Sequence, residues 1–169
     1  MHRRDLLRAL GAASALAVLP HDAVAAWARV ATGLRPTNGL TDAQLARVGA
    51  IADTILPRTS TPSATDVHAP DFVNVIVSEN YGDSEREAFV AGLDQLDAAA
   101  IDTYETATDR RAEPARTYWR LKGLIIHGYF TSEPVMKDVL HYEIMPGRFE
   151  GDAPMPLKSS RAAGGHSHG

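Results

Sequence analysis

Pro114-Ala115-Arg116-Thr117-Tyr118-Trp119-Arg120-Leu121-Lys122-Gly123-Leu124-Ile125-Ile126-His127-Gly128-Tyr129 is the stretch that decides the fold. Proline is preorganised for a first helical position. Tyr118, Leu121, Ile125 and Tyr129 then recur at spacings of three and four, so they share one face. Trp119, Leu124 and Ile126 widen that face, as expected of a helix near the centre of a bundle. Similar stripes occur on either side. Thr41-Asp42-Ala43-Gln44 has the form of a capping box, in which hydroxyl and amide side chains satisfy each other's backbone N–H groups. Leu45, Val48, Ile51, Ala52, Ile55 and Leu56 follow at helical spacing until Pro57. Pro70 opens a second stripe of Phe72, Val73, Ile76, Val77 and Tyr81, which Gly82 stops. Ser84-Glu85-Arg86-Glu87 reads as another capping box, and Phe89, Leu93, Leu96, Ala100, Ile101 and Tyr104 make the longest stripe as one helix. No convincing run before Ser132 alternates with period two, and Tyr142-Glu143-Ile144-Met145 is too short to found a sheet. The expected fold is all-α: a small bundle of about four to five helices with an irregular C-terminal extension.

The N-terminus reads as an address. His2-Arg3-Arg4-Asp5-Leu6-Leu7-Arg8 places an arginine pair and two leucines ahead of the apolar run Ala9 to Leu19, which is the twin-arginine export pattern carried by Arg3, Arg4, Leu6 and Leu7. Ala23-Val24-Ala25 has the small-x-small form cut by signal peptidase, so residues 1–25 are expected to be the leader, with cleavage after Ala25. A general secretory leader and an uncleaved anchor are the rivals. The apolar run falls short of the roughly 20 residues needed to cross a bilayer. Periplasmic localisation by the twin-arginine route follows as an expectation. That route carries folded proteins, so such a chain binds something itself or travels with a partner.

Residues 26–40 read as a linker broken by Pro36, Asn38 and Gly39, residues 41–157 as the helical domain, and residues 158–169 as a disordered Gly/His tail. About 140 residues after the leader suffice for one domain. The net charge of -4 and the lack of a basic block outside the leader argue against nucleic acid as a partner. There is no cysteine, so disulfides, thiolate-ligated iron–sulfur clusters, c-type haem attachment and thiol nucleophiles are excluded.

No residue pattern announces a catalytic, cofactor-binding or metal site. His21, His68, His127, His141, His166 and His168 form no helical His-x-x-x-His or Glu-x-x-His pair. No phosphate-binding loop or Gly-x-Ser-x-Gly elbow is present. His127 reads as a hydrogen-bonded core or rim histidine, and His166-Ser167-His168 as a weak, adventitious metal binder. The unusual segment is Gly128-Tyr129-Phe130-Thr131-Ser132-Glu133-Pro134. There a helix is expected to end at Gly128 or Tyr129, and Ser132 to cap another. With Pro146-Gly147-Arg148-Phe149 it puts aromatic and arginine side chains on loops, a composition enriched in protein interfaces, although a packed helix–turn–helix corner would read the same way.

These segments carry a resemblance. Gly128-Tyr129-Phe130-Thr131-Ser132-Glu133, Tyr142-Glu143 and Pro146-Gly147-Arg148-Phe149-Glu150-Gly151 resemble the gluconate 2-dehydrogenase subunit 3 family. Further support comes from Ala52-Asp53-Thr54-Ile55-Leu56-Pro57 with the loop after it, Pro70-Asp71-Phe72-Val73, and Phe89 to Asp97. The resemblance implies a non-catalytic small subunit of an FAD-dependent sugar, glycoside or sugar-acid dehydrogenase. The FAD would reside on a large glucose–methanol–choline type partner, a cytochrome c subunit often completes such complexes, and the small subunit would carry the flavoprotein through the twin-arginine translocase. It also implies a partner interface at Tyr129, Phe130, Thr131, Ser132, Glu133, Tyr142, Pro146, Gly147, Arg148 and Phe149. Many members carry a cysteine soon after Pro-Gly-Arg, whereas Gly151-Asp152-Ala153 has none. The competing reading from another class is an independent periplasmic helical metal- or ligand-binding protein, motivated by the histidine tail.

Overall fold

The computed structural model describes residues 21–142. Six α-helices run in chain order: α1 His21–Ala31, α2 Asp42–Ile55, α3 Ala69–Glu79, α4 Asp83–Leu93, α5 Ile101–Glu105 and α6 Ala115–Thr131. A 3-10 turn, Ala98–Ala100, leads directly into α5, and a single π-helical turn, Val135–Val139, follows α6. Among the described residues there is no strand, and the all-α expectation holds.

Local chemistry explains where α2 begins. Thr41 Oγ1 accepts from the Gln44 backbone N–H at 3.3 Å, while Gln44 Oε1 accepts from the Thr41 N–H at 3.0 Å, closing the capping box. Val48, Ile51 and Ala52 face inward from it. Helix α6 buries Tyr118, Leu121, Ile125 and Tyr129, the face read from its spacing.

The most enclosed element is α3 rather than α6. Every residue from Phe72 to Val77 is buried, because α3 packs against α6 and α2 on one side and α1 on the other. It joins two apolar clusters. The larger gathers Val48, Ile51, Val73, Phe89, Leu93 and Leu121 among others. The smaller consists of Ala23, Ala26, Phe72, Val75 and Ile76, with Trp27 and Val30 packed on it. Asn74, polar yet buried in this helix, accepts the Leu40 N–H at 2.7 Å through Oδ1. That bond satisfies its carbonyl oxygen and fixes the chain entering α2.

Three expectations are corrected. The stripe from Ser84 to Tyr104 is not one helix. Helix α4 starts one residue earlier, after Gly82, with no side-chain cap, and it ends at Leu93. Asp97 then turns its carboxylate onto the Ala99 N–H at 3.0 Å, and its own N–H donates to Tyr104 Oη at 3.1 Å. A short acidic side chain that captures backbone donors competes with continuing the helix. Phe89, Leu93, Leu96, Ile101 and Tyr104 are buried all the same, so the inward face is kept across the break. Residues 26–31, expected in a linker, are helical and docked. Ala26 is 2% exposed, and only the turn from Gly33, at φ 65°, to Gly39 has linker character. Ser132 stands at the start of the helical turn that follows, its carbonyl accepting the Met136 N–H at 3.0 Å, but its side chain does not cap that turn. It is buried at the C-terminal end of α6, and its hydroxyl donates back to the Tyr129 carbonyl at 2.7 Å. The C-terminal extension from Pro146 and the Gly/His tail lie outside the described residues.

Two helix crossings depend on an absent side chain. A Cβ on Gly128 would stand 2.8 Å from Phe72 Cδ1, and one on Gly92 would stand 2.1 Å from Thr117 Oγ1. The Phe72 ring cannot withdraw, since it is fully buried. Gly128→Ala is therefore expected to cost about 1–3 kcal/mol by overpacking, despite alanine's better helix propensity. A chemical-denaturation midpoint that rises instead would contradict this packing.

Candidate functional site

A groove of about 950 Å³ lies between α1, the turn after it, the start of α3 and the segment that follows α6. Trp27, Val30, Leu34, Val75, Met136 and Tyr142 supply apolar walls. Leu34 is 69% exposed and Tyr142 48% exposed, so large apolar side chains stand open to solvent around it. Charges at its margin are already paired, Arg35 with Asp42 and Lys137 with Glu133, and His68 Nδ1 lies within hydrogen-bond distance of Asp71 Oδ2 at 3.1 Å. An apolar trough with internally neutralised charges at its edge suits burial of another apolar surface.

The groove is held open from beneath. Trp27 Nε1–H donates to Thr131 Oγ1 at 2.9 Å, and the Trp27 ring lies 5.3 Å from that of Phe72. These contacts tie α1 to α6 and to α3 through residues far apart in sequence. On the other side, Asp53 anchors the Pro-, Ser- and Thr-rich loop by accepting the Thr65 N–H at 2.9 Å and the Thr65 hydroxyl at 2.6 Å. Asp66 accepts the Ser63 N–H at 2.7 Å and pairs with Arg58. The Ser63 backbone bond is the main reason its carboxyl is held below the usual range. The loop is thus fixed by charge-assisted bonds, and Ser63, Ala64 and Val67 within it are buried.

The expected interface residues divide. Tyr129 is a correction: it is 4% exposed, and its hydroxyl donates to the Pro62 carbonyl at 2.9 Å, which spans the loop to the end of α6. It and Ser132 belong to the core of this chain and present no free surface. A buried tyrosine with a satisfied hydroxyl packs as a large hydrophobe. Phe130, 45% exposed, stands edge-on to Tyr129 with centroids 5.3 Å apart. Thr131, Glu133 and Tyr142 line the groove. Pro146, Gly147, Arg148 and Phe149, like Arg3, Arg4, Leu6 and Leu7, lie outside the described residues. Trp27 and Leu34, which the sequence reading did not single out, are the largest additions. Leu34 sits beside a breaker in what read as a linker, and nothing local distinguished Trp27.

Among the described residues no three His, Cys, Asp or Glu side chains converge as a metal site would require. His127 is half-buried against Phe72, ring centroids 5.6 Å apart. The densest electrostatic cluster is on α5 and α6, away from the groove. Tyr118 Oη–H donates to Glu105 Oε1 at 2.6 Å, and Lys122 pairs with the same oxygen. Arg110 stacks 4.1 Å over the Trp119 ring. Lys122, then Tyr118, hold the Glu105 carboxyl below its usual range. Burial, then the Glu105 carboxylate, raises Tyr118 above its ordinary value, so the phenol stays a donor.

For Glu105 the folded state favours the ionised form. Its stabilising contribution is complete above the ordinary glutamate pKa and is lost as pH falls through the depressed one. The stability difference between the native chain and Glu105→Gln is accordingly expected to be largest near neutrality and to shrink below about pH 4. Thermal melts between pH 3 and 7 check this, and a difference independent of pH would contradict it.

No curated protein and no solved structure matches the chain. The family model described as gluconate 2-dehydrogenase subunit 3 matches residues 42–117, which run from the start of α2 into the first turn of α6 and include both the Asp53 clamp and all of α3. The match over residues 42–117 supports membership of the gluconate 2-dehydrogenase subunit 3 family.

Proposed function

We propose that this chain is the non-catalytic small subunit of a periplasmic FAD-dependent dehydrogenase of sugars, glycosides or sugar acids, and that it stabilises the flavoprotein subunit and carries it through twin-arginine export. The match to a family named for one subunit of a dehydrogenase complex carries the reading, since such a subunit implies a larger catalytic partner. Three features support the finer statement. The leader has the twin-arginine pattern at Arg3, Arg4, Leu6 and Leu7. The groove exposes Leu34 and Tyr142, and Phe130 stands open beyond it.

On this reading the large flavoprotein of the glucose–methanol–choline type covers the groove. FAD and the reacting groups reside on that partner, and a cytochrome c subunit receives the electrons in complexes that have one. A contact that survives translocation calls for an interface of obligate size, roughly 2,000 Å² or more.

Two experiments test this. Leu34→Asp combined with Tyr142→Asp is expected to leave the melting temperature of the free subunit within about 2 °C, because exposed positions contribute little to folding. The same pair is expected to weaken assembly with the flavoprotein at least about tenfold, since an unpaired charge is buried there. Assembly at native affinity would move the interface elsewhere. In cells, Arg3→Lys with Arg4→Lys is expected to abolish periplasmic dehydrogenase activity while flavoprotein accumulates in the cytoplasm, and unchanged periplasmic activity would reject the carrier role.

A further inference from the structure

The bond expected to be cut on export lies inside a docked helix. Ala23, Val24 and Ala25 all belong to α1. Ala23 has no exposed surface, and Ala26, on the far side of the Ala25–Ala26 bond, is 2% exposed. Both alanines pack into the cluster formed with Phe72, Val75 and Ile76 of α3. Trp27, next in sequence, is pinned by its hydrogen bond to Thr131 and its ring contact with Phe72. Two residues further on, Arg29 Nε donates to Glu79 Oε1 at 2.8 Å.

Proteolytic cleavage falls on exposed, locally unfolded backbone. Peptide recognition by strand addition likewise needs the substrate extended, with main-chain N–H and C=O groups free to pair. A helical segment has committed those groups internally, and here the small side chain at the first position of the small-x-small pattern is also wholly enclosed. We propose that docking of α1 on α3 withholds the Ala25–Ala26 peptide bond from signal peptidase, so that hydrolysis occurs only from the state in which α1 has left the bundle. In that step water adds its hydroxyl to the Ala25 carbonyl carbon, the C–N bond breaks, and the proton goes to the Ala26 nitrogen. The inference rests on the export reading above and deepens it: a chain that crosses already folded keeps its leader until α1 opens, so removal of the leader reports on the state of the face that α1 helps build.

The test compares three substrates for detergent-solubilised signal peptidase, with intact mass as the readout: the purified full-length chain, its Thr131→Val variant, and a peptide of residues 1–40. Thr131 is 104 positions from Trp27 in sequence, so its replacement leaves the recognised residues untouched, and circular dichroism verifies that the variant is folded. When opening precedes cutting, the rate follows the open population. The peptide is expected to be cut after Ala25 at least about 100-fold faster than the folded chain. Loss of this one part-buried hydrogen bond is expected to speed cutting of the Thr131→Val chain about fivefold. A folded chain cut as fast as the peptide, or a Thr131→Val rate equal to the native one, overturns the proposal while leaving the leader assignment intact. A peptide that is not cut after Ala25 overturns both.

Discussion

The Phe72 ring lies against a stretch of α6 that has no side chain at Gly128, and much of the molecule depends on that fit. Burying such a ring contributes about 1.5–3 kcal/mol by area alone. Its value here is positional. On one side it sets the separation of α3 and α6, where Gly128 lets the ring come within van der Waals distance of the helix backbone. On the other it offers its face to Trp27, the anchor of α1. Its own helix joins the two apolar clusters. Remove the ring and a cavity opens where three helices meet, at a cost of about 3–5 kcal/mol for a fully buried phenylalanine. The groove wall would loosen with it.

Around that contact the polar groups act as clamps. Asn74 holds the approach to α2, Asp53 and Asp66 hold the loop between α2 and α3, and the Tyr129 hydroxyl ties that loop to the end of α6. Each is a side chain satisfying a backbone donor or acceptor that a loop would otherwise leave unpaired. With no cysteine in the chain, packing and these bonds stabilise the irregular segments. Rigid loops suit a docking surface, because little ordering entropy is then lost on assembly.

Much of this fold was legible because its signals are local. The Thr41 and Gln44 box, the stripe of α2 and the inward face of α6 each follow from residues within a few positions of one another. What was not legible depended on distant partners. Ala23, Ala26 and Trp27 read as leader and linker because an alanine-rich stretch gives no reason to dock until Phe72 and Thr131 are in place. Tyr129 and Ser132 read as interface because they sit in a recognisable motif; the structure turns both inward, the tyrosine hydroxyl to a loop carbonyl 67 positions away and the serine to its own helix end. Asp97 broke the long stripe because a three-residue spacing cannot show which aspartate will capture a backbone N–H. Of the residues that line the groove, Thr131, Glu133 and Tyr142 were legible as one neighbourhood, while Leu34 and Trp27 were not.

The functional account is a division of labour. On the function proposed above, this subunit would offer a docking face and an export address, and the redox chemistry would belong to the chain it accompanies. The most direct measurement is dye-linked dehydrogenase activity, together with the visible absorbance spectrum, of the chain purified alone. The account predicts no turnover of any sugar or sugar acid and no flavin or haem bands in the isolated subunit. Substrate oxidation by the isolated chain, or a redox group that stays bound through purification, would contradict it.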